Sequence, residues 1–216
     1  MRIEIDLHVH SDRSHDSSIT VPEAIAKAKQ RGLQGIAITD RDIATRTSQF
    51  GADDFLLVPG IEVSTSEGHL LGIGVDQPIP SGLQASETAD KIREVGGLSA
   101  VSHPFSLMAQ RIDQKIIECG KFDAVEVMNA SYPLFQRSSR LAMALAERLN
   151  LPQLGGSDSH ILETIGDAFT VIEVESLTVE GVLKAIRDKK THPEGRPSSL
   201  TNQLKKAFSI LKLHLK

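Results

Sequence analysis

Short apolar runs alternate with stretches of helical periodicity along most of the chain. Residues 3–9 predict a strand, followed by a turn rich in Ser and Asp. Thr20 then stands before Val21-Pro22-Glu23, so Pro and Glu fall in the first turn of a helix that runs to about Arg31 and closes at Gly32. Residues 35–39 form a second buried apolar run. Residues 55–58 and 61–65 are strand-like, and 69–75 can return as a hairpin. A helix over 86–95 ends at Gly96-Gly97 and leads into a strand over 98–102. Strands over 123–128, 153–155 and 168–174 are interleaved with helices over 134–149 and 179–189.

Strands alternating with helices imply right-handed βαβ units and a parallel sheet. Seven or so strands before residue 191 are too many for a small doubly wound sheet and fit a compact α/β barrel. Residues 1–191 therefore read as one domain, with no internal repeat. From His192 to Ser199 the composition turns to Pro, Gly and Ser, which reads as a linker into a final helix. That helix places Leu200, Leu204, Phe208, Leu211 and Leu215 on one stripe, with Lys205, Lys206, Lys212 and Lys216 elsewhere. Such a stripe is expected to pack on its own domain or on a partner subunit, and so to support a homo-oligomer.

Composition narrows the function classes. A net charge of −4 over 216 residues gives no basis for purely electrostatic nucleic-acid binding, although a nucleotide or short oligonucleotide substrate stays open. Cys119 is the only cysteine, which excludes an intrachain disulfide and points to a reducing compartment. No run approaches the ~18 apolar residues of a membrane span, and the opening MRIEIDLHVH is too charged for a signal peptide. A cytoplasmic protein without membrane contact is expected.

The chemistry lies in where His and acidic residues fall. His8 and His10 end the first strand with i, i+2 spacing, which puts both on one face. Asp16 follows in the next loop, and Asp40 ends the second strand. Glu62 and His69 lie in the third strand region, His103 ends the strand before Pro104, and Asp158 and His160 repeat the i, i+2 spacing after a later strand. Active sites of parallel α/β folds gather at these strand ends. A single buried histidine is more often a hydrogen-bonded core residue than a ligand. Five histidines with four carboxylates would instead strand unpaired buried charge unless a cation joined them. Imidazole with carboxylate and no thiolate suits Mn, Zn or Fe, and the number of ligands calls for two to three divalent ions. Clusters of this kind activate water for attack on a phosphoryl group.

The segments DLHVHSDRSHDSS, IAITDRD, PGIEVSTSEGHLLGIGV, VSHPF and GGSDSH resemble the ordered motifs of the PHP (polymerase and histidinol phosphatase) family, from Asp6 to about Ala168. The resemblance implies an α/β fold, a distorted (β/α)7 barrel, here with a C-terminal amphipathic helix, and metal-dependent hydrolysis of phosphoesters. It implies that His8, His10, Glu62 and Asp158 hold one metal, and that Glu62 bridges to a second held by His69 and His103. Asp16 and His160 would hold a third, and Asp16, Glu62 and His160 are the residues expected to carry the reaction. The family's second motif usually reads TDH, whereas this chain has Thr39-Asp40-Arg41. Arginine cannot ligate a cation. Either the third site is weak or empty, or His15 or Asp42 completes it, or Arg41 supplies the missing positive charge and holds phosphate, or Arg41 faces solvent.

Arg137 and Arg140 are three apart on the helix after Asn129, where substrate-binding groups can sit, although a solvated basic face has the same pattern. Ser157 and Ser159 flank Asp158 as local hydrogen-bonders. The leading expectation is a phosphoric monoester or diester hydrolase acting on a small phosphorylated metabolite, nucleotide or short oligonucleotide. The alternatives are a metallohydrolase of a non-phosphate bond and a degenerate PHP-like module that binds ligand without turnover.

Overall fold

The computed structural model describes residues 1–50, 54–107 and 110–214. Its strands are β1 (Arg2–Val9), β2 (Gly35–Ile38), β3 (Leu56–Thr65), β4 (Gly68–Ile73), β5 (Leu98–Val101), β6 (Ala124–Asn129), β7 (Gln153–Gly156), β8 (Ala168–Glu173) and β9 (Thr191–Gly195). The helices are α1 (Val21–Gln30), α2 (Ala85–Glu94), α3 (Gln114–Cys119), α4 (Phe135–Arg148), α5 (Val179–Arg187) and α6 (Leu200–His214). One sheet runs in the order β7-β6-β5-β4-β3-β2-β1-β8-β9 and curls into a nearly closed barrel. Beyond β7 the chain runs along the end of β1, where Asp158 N–H donates to His8 O at 2.8 Å and His10 N–H to Ser159 O at 3.0 Å. Thr170 of β8 donates to Gly155 O at 2.9 Å on the other side of the gap. The buried Asp6 carboxylate stitches this closure by accepting from the Ser157 and Gly166 N–H groups, each at 2.9 Å. Burial pushes its pKa up to about 6, against the hydrogen bonds that lower it.

Local chemistry explains the elements. Thr20 caps α1 in a reciprocal box with Glu23, with Pro in the first turn. The apolar stretches expected over 55–58 and 61–65 are one strand. Pro59-Gly60 marks where β3 changes partner, from β2 through Leu56–Pro59 to β4 through Gly60–Thr65. A Cβ on Gly60 would meet Gly72 O and Thr39 Cγ2 at 2.9 Å each, so only glycine lets the three strands approach there.

Two expectations are corrected. The sheet is mixed: β4 is antiparallel to β3 and β5, and β8 to β1 and β9. Only Ser66 and Glu67 join β3 to β4, and so short a connection cannot make a parallel crossover. Residues 191–195 are the edge strand β9, paired with Ala168–Ile172, and not linker. Pro193 had hidden it, but proline is tolerated at a sheet edge. The short helix α3, capped by Asp113, was not expected. One core cluster joins Ile3, Ile5 and Leu7 of β1 to Val182 and Ile186 of α5, and another packs Val9 and Ile38 against α1. The cluster expected to be functional lies at the C-terminal ends of β1, β5 and β7. Because β4 runs the opposite way, its beginning, at His69, reaches the same mouth. Among the described residues no helix is long and apolar enough to cross a membrane.

Candidate metal centre

Eight ligand candidates named from the sequence converge. His8 and His10 leave the end of β1 with their Nε2 atoms 3.2 Å apart. Glu62 Oε1 lies 3.6 Å from His8 Nε2, and Glu62 Oε2 lies 3.4 Å from His10 Nε2. Asp158 Oδ1 stands 3.7 Å from His8 Nε2 and 3.5 Å from His10 Nε2. A tetrahedral ion with ligands at about 2.0–2.2 Å gives edges of about 3.3–3.6 Å between them, so these spacings suit a cation. Glu62 Oε1 also lies 3.0 Å from His103 Nε2 and 3.1 Å from His69 Nδ1, making a second group that shares the same carboxylate. His160 Nε2 is 3.2 Å from Asp16 Oδ2. Among the described residues, three sets of side chains have ligand atoms close enough to hold an ion: His8, His10 and Glu62; Glu62, His69 and His103; and His10, Asp158 and His160.

Partners behind the rings aim them. Glu126 Oε1 takes the proton side of His8 Nδ1 at 2.8 Å, and its Oε2 accepts the His103 backbone N–H at 2.8 Å. His10 Nδ1 faces Ser14 Oγ at 3.0 Å, and Ser14 donates to Asp40 Oδ1 at 3.1 Å. His160 Nδ1 lies 3.0 Å from Asp158 O. Each contact leaves Nε2, with its lone pair, turned into the cluster, as metal-binding histidines require. Two of the ligand candidates have left-handed backbones, His103 at φ 32° and Asp158 at φ 53°. Such conformations cost about 1–3 kcal/mol each and gather at functional sites. Glu126 was missed from sequence, its one signal being an acid in the middle of the apolar strand β6.

Electrostatics point the same way. Burial pushes the His8 imidazole down, but Glu126, Asp158 and Glu62 outweigh it and raise its pKa well above the ordinary value. Burial pushes Glu62 up, while Arg41 and His8 hold it well below the usual carboxylate range. Burial, Lys206 and His10 lower His160 to about 4. At neutral pH the His160 ring then carries one proton. That proton sits either on Nε2, donating to Asp16 Oδ2, or on Nδ1, donating to Asp158 O; in the second form the Nε2 lone pair beside the Asp16 carboxylate makes a place for a cation. The donor set thus fits divalent ions.

Arg41 turns inward, with its side chain 16% exposed, which removes the solvent-facing alternative. Nε and Nη2 donate to Asp16 Oδ2 at 3.3 and 3.2 Å, and Nη1 lies 2.8 Å from Glu62 Oε2 and 3.1 Å from His69 Nδ1. Its guanidinium supplies positive charge beside Asp16 and His160. Asp16 is held below the ordinary range because His160, His10 and Arg41 outweigh the upward push of burial. His15 is exposed, and Asp42 spends its carboxylate on the Ser64 N–H at 2.7 Å, so neither joins these ligand groups.

Asp40 belongs to the loop and not to the ligands. It is buried and accepts from Ser11 N–H at 2.6 Å, Ser11 Oγ at 2.7 Å, Ser14 Oγ and Thr45 Oγ1. Asp40→Ala is expected to cost about 2–4 kcal/mol of stability by orphaning these donors. Denaturant unfolding of metal-free protein measures the loss, and metal content at saturating Mn²⁺ should not change. A lost ion with unaltered stability would make Asp40 a ligand instead.

A cavity of about 430 Å³ opens over the cluster, lined by Asp16, Arg41, His103, Asp158 and His160 below and by Gln203, Lys206, Ala207 and Ile210 of α6 on one side. Arg137 and Arg140 are exposed on α4 and do not line it. The stripe of α6 points away from the barrel, with Leu200, Leu204, Phe208 and Leu211 all exposed; Leu215 and Lys216 lie outside the described residues.

Residues 6–95 match the PHP domain family model, and residues 136–191 match the PHP-associated model. An uncharacterised protein of Methanocaldococcus jannaschii is 33% identical over 145 residues, 59% of this chain and 82% of that protein. A probable phosphatase of Syntrophotalea carbinolica is 24% identical over 223 residues, 85% of this chain and 92% of the relative. In three dimensions the chain is similar to a two-domain protein of Bacteroides vulgatus containing a predicted PHP-like metal-dependent phosphoesterase, with a TM-score of 0.72 and 17% identity over 96% of this chain and 69% of the other. The chain belongs to the PHP family.

Proposed function

We propose that the chain is a metal-dependent phosphoesterase that hydrolyses the ester of a small phosphorylated metabolite, nucleotide or short oligonucleotide. The observation that carries this reading is the Glu62 carboxylate, shared by two histidine groups and flanked by a buried guanidinium. His8, His10, Glu62 and Asp158 would hold one ion, and Glu62, His69 and His103 the second. Bound divalent ions supply an activated water and neutralise phosphoryl charge. Arg41 offers N–H groups to phosphate oxygens from the position it shares with Asp16. The ionised Asp16 carboxylate orients that guanidinium, and His160, neutral at pH 7, keeps Asp16 in place from the other side. Membership in a family with a probable phosphatase among the relatives supports the same reading.

Two ions per chain are expected by elemental analysis after purification without chelator or reconstitution with Mn²⁺ or Zn²⁺. A panel of phosphate monoesters and diesters assayed with added Mn²⁺ should show turnover that inorganic phosphate inhibits. One ion or none after reconstitution would remove the shared-carboxylate centre. Turnover insensitive to phosphate would favour a non-phosphate bond.

A further inference from the structure

Helix α6 is seated on the barrel by its polar side and not by its apolar stripe. Ser198 N–H donates to Ala130 O at 2.9 Å, and Ser198 Oγ to Asp167 Oδ2 at 3.0 Å, fixing the approach to the helix. Lys205 Nζ reaches Glu163 Oε1 at 3.0 Å on the outer rim. One turn of chain faces the cluster. There Lys206 Nζ donates to Ser131 Oγ and to Asp158 O, each at 3.0 Å, and lies 3.5 Å from Asp158 Oδ2. Its side chain is 19% exposed. Arg41 and Lys206 therefore line the same cavity, one beside Asp16 and the other beside Asp158.

We propose that α6 is the substrate-binding wall of the centre and that Lys206 contacts the substrate phosphate, selecting monoesters of small organic groups over diesters. The proposal rests on the phosphoesterase reading for its substrate class. Asp158 is both a ligand candidate and, among the described residues, the only carboxylate paired with Lys206. With a divalent ion bound, Asp158 would spend its negative charge there, and the Lys206 ammonium would be left to pair with an anion in the cavity. Lysine suits this task, because a point charge on a flexible four-carbon stem can follow a phosphate without a fixed fork. A monoester phosphate is dianionic near neutral pH and a diester carries one charge, so a second cation facing Arg41 favours the monoester. The cavity volume of about 430 Å³ falls in the range of small-molecule sites.

The test uses the full-length Mn²⁺-loaded chain and Lys206→Gln, with Lys206→Arg as the charge-preserving control. Calorimetry with inorganic phosphate should show about tenfold weaker binding in Lys206→Gln and near-normal binding in Lys206→Arg, at unaltered metal content. With p-nitrophenyl phosphate, KM should rise by about tenfold while kcat stays within about threefold, and KM for bis-p-nitrophenyl phosphate should stay put. Phosphate binding indifferent to Lys206→Gln, an equal loss on both esters, or a lost metal ion would each overturn the role of Lys206. If neither ester is hydrolysed by the wild-type chain, yet phosphate binding still depends on Lys206, the contact stands and the phosphoesterase reading falls.

Discussion

Glu62→Gln is expected to abolish turnover, with kcat/KM down by at least about 10³-fold, a barrier increase of about 4 kcal/mol. Its Oε1 is within 3.6 Å of ring nitrogens of His8, His69 and His103, and Oε2 is 2.8 Å from Arg41 Nη1. A neutral amide has the same shape but removes the negative charge that two ions would share. It also turns an N–H₂ group toward nitrogen lone pairs or toward the guanidinium. The metal count should fall from two to one or none. The barrel should remain folded, because β3 is held by pairing to β2 and β4 and not by this side chain. Circular dichroism checks the fold and elemental analysis the ions. Glu62→Asp keeps the charge and should retain more metal than the amide. Turnover of Glu62→Gln within about tenfold of wild type, ~1.4 kcal/mol, would contradict a bridging carboxylate.

The cluster of ligand candidates was legible in the sequence because most members lie at or just beyond a strand end, and strand ends meet at one mouth whatever the details of packing; Glu62, inside β3, and Asp16, in the loop after β1, are the exceptions. His8 and His10 illustrate this: i, i+2 spacing at the end of β1 suffices to bring their Nε2 atoms together. Position alone misled for Asp40. It ends β2 as the ligands end their strands, but the hydroxyls of Ser11, Ser14 and Thr45 surround its carboxylate first. Glu126 and Lys206 were hidden for opposite reasons. Glu126 looks like an isolated acid in an apolar strand until His8 Nδ1 is found against it, across 118 residues of sequence. Lys206 has the spacing of a solvated helix face, and only the docking of α6 shows that this face is the inner one. The apolar stripe of α6, which periodicity assigns to packing on the domain or on a partner subunit, does not pack on its own domain: Leu200, Leu204, Phe208 and Leu211 are exposed. Periodicity reports which residues share a face and does not say which face meets the domain. The same limit applies to Arg137 and Arg140, whose shared face on α4 is solvent-exposed.

Arg41 gives the second large effect, and two substitutions pull it in opposite directions. Arg41→Ala deletes three contacts, to Asp16, Glu62 and His69, but none of the ligand side chains. If the guanidinium holds the substrate phosphate, its loss removes a charge-assisted contact of about 1.5–3 kcal/mol, or about 10- to 150-fold in kcat/KM. The two ions on either side of Glu62 should remain. Arg41→His installs the family's usual residue beside Asp16 Oδ2 and His160 Nε2, which already converge to 3.2 Å. Metal content should then rise from two ions to three. Phosphate binding should become dependent on that third ion, so that titrating metal changes affinity in Arg41→His and not in wild type. The two substitutions separate the roles: one measures what the fixed charge contributes, and the other asks whether a removable charge can replace it. Wild-type kinetics in Arg41→Ala together with no additional ion in Arg41→His would show that the guanidinium serves only to neutralise Asp16 and Glu62 in the folded chain, with the phosphate held elsewhere.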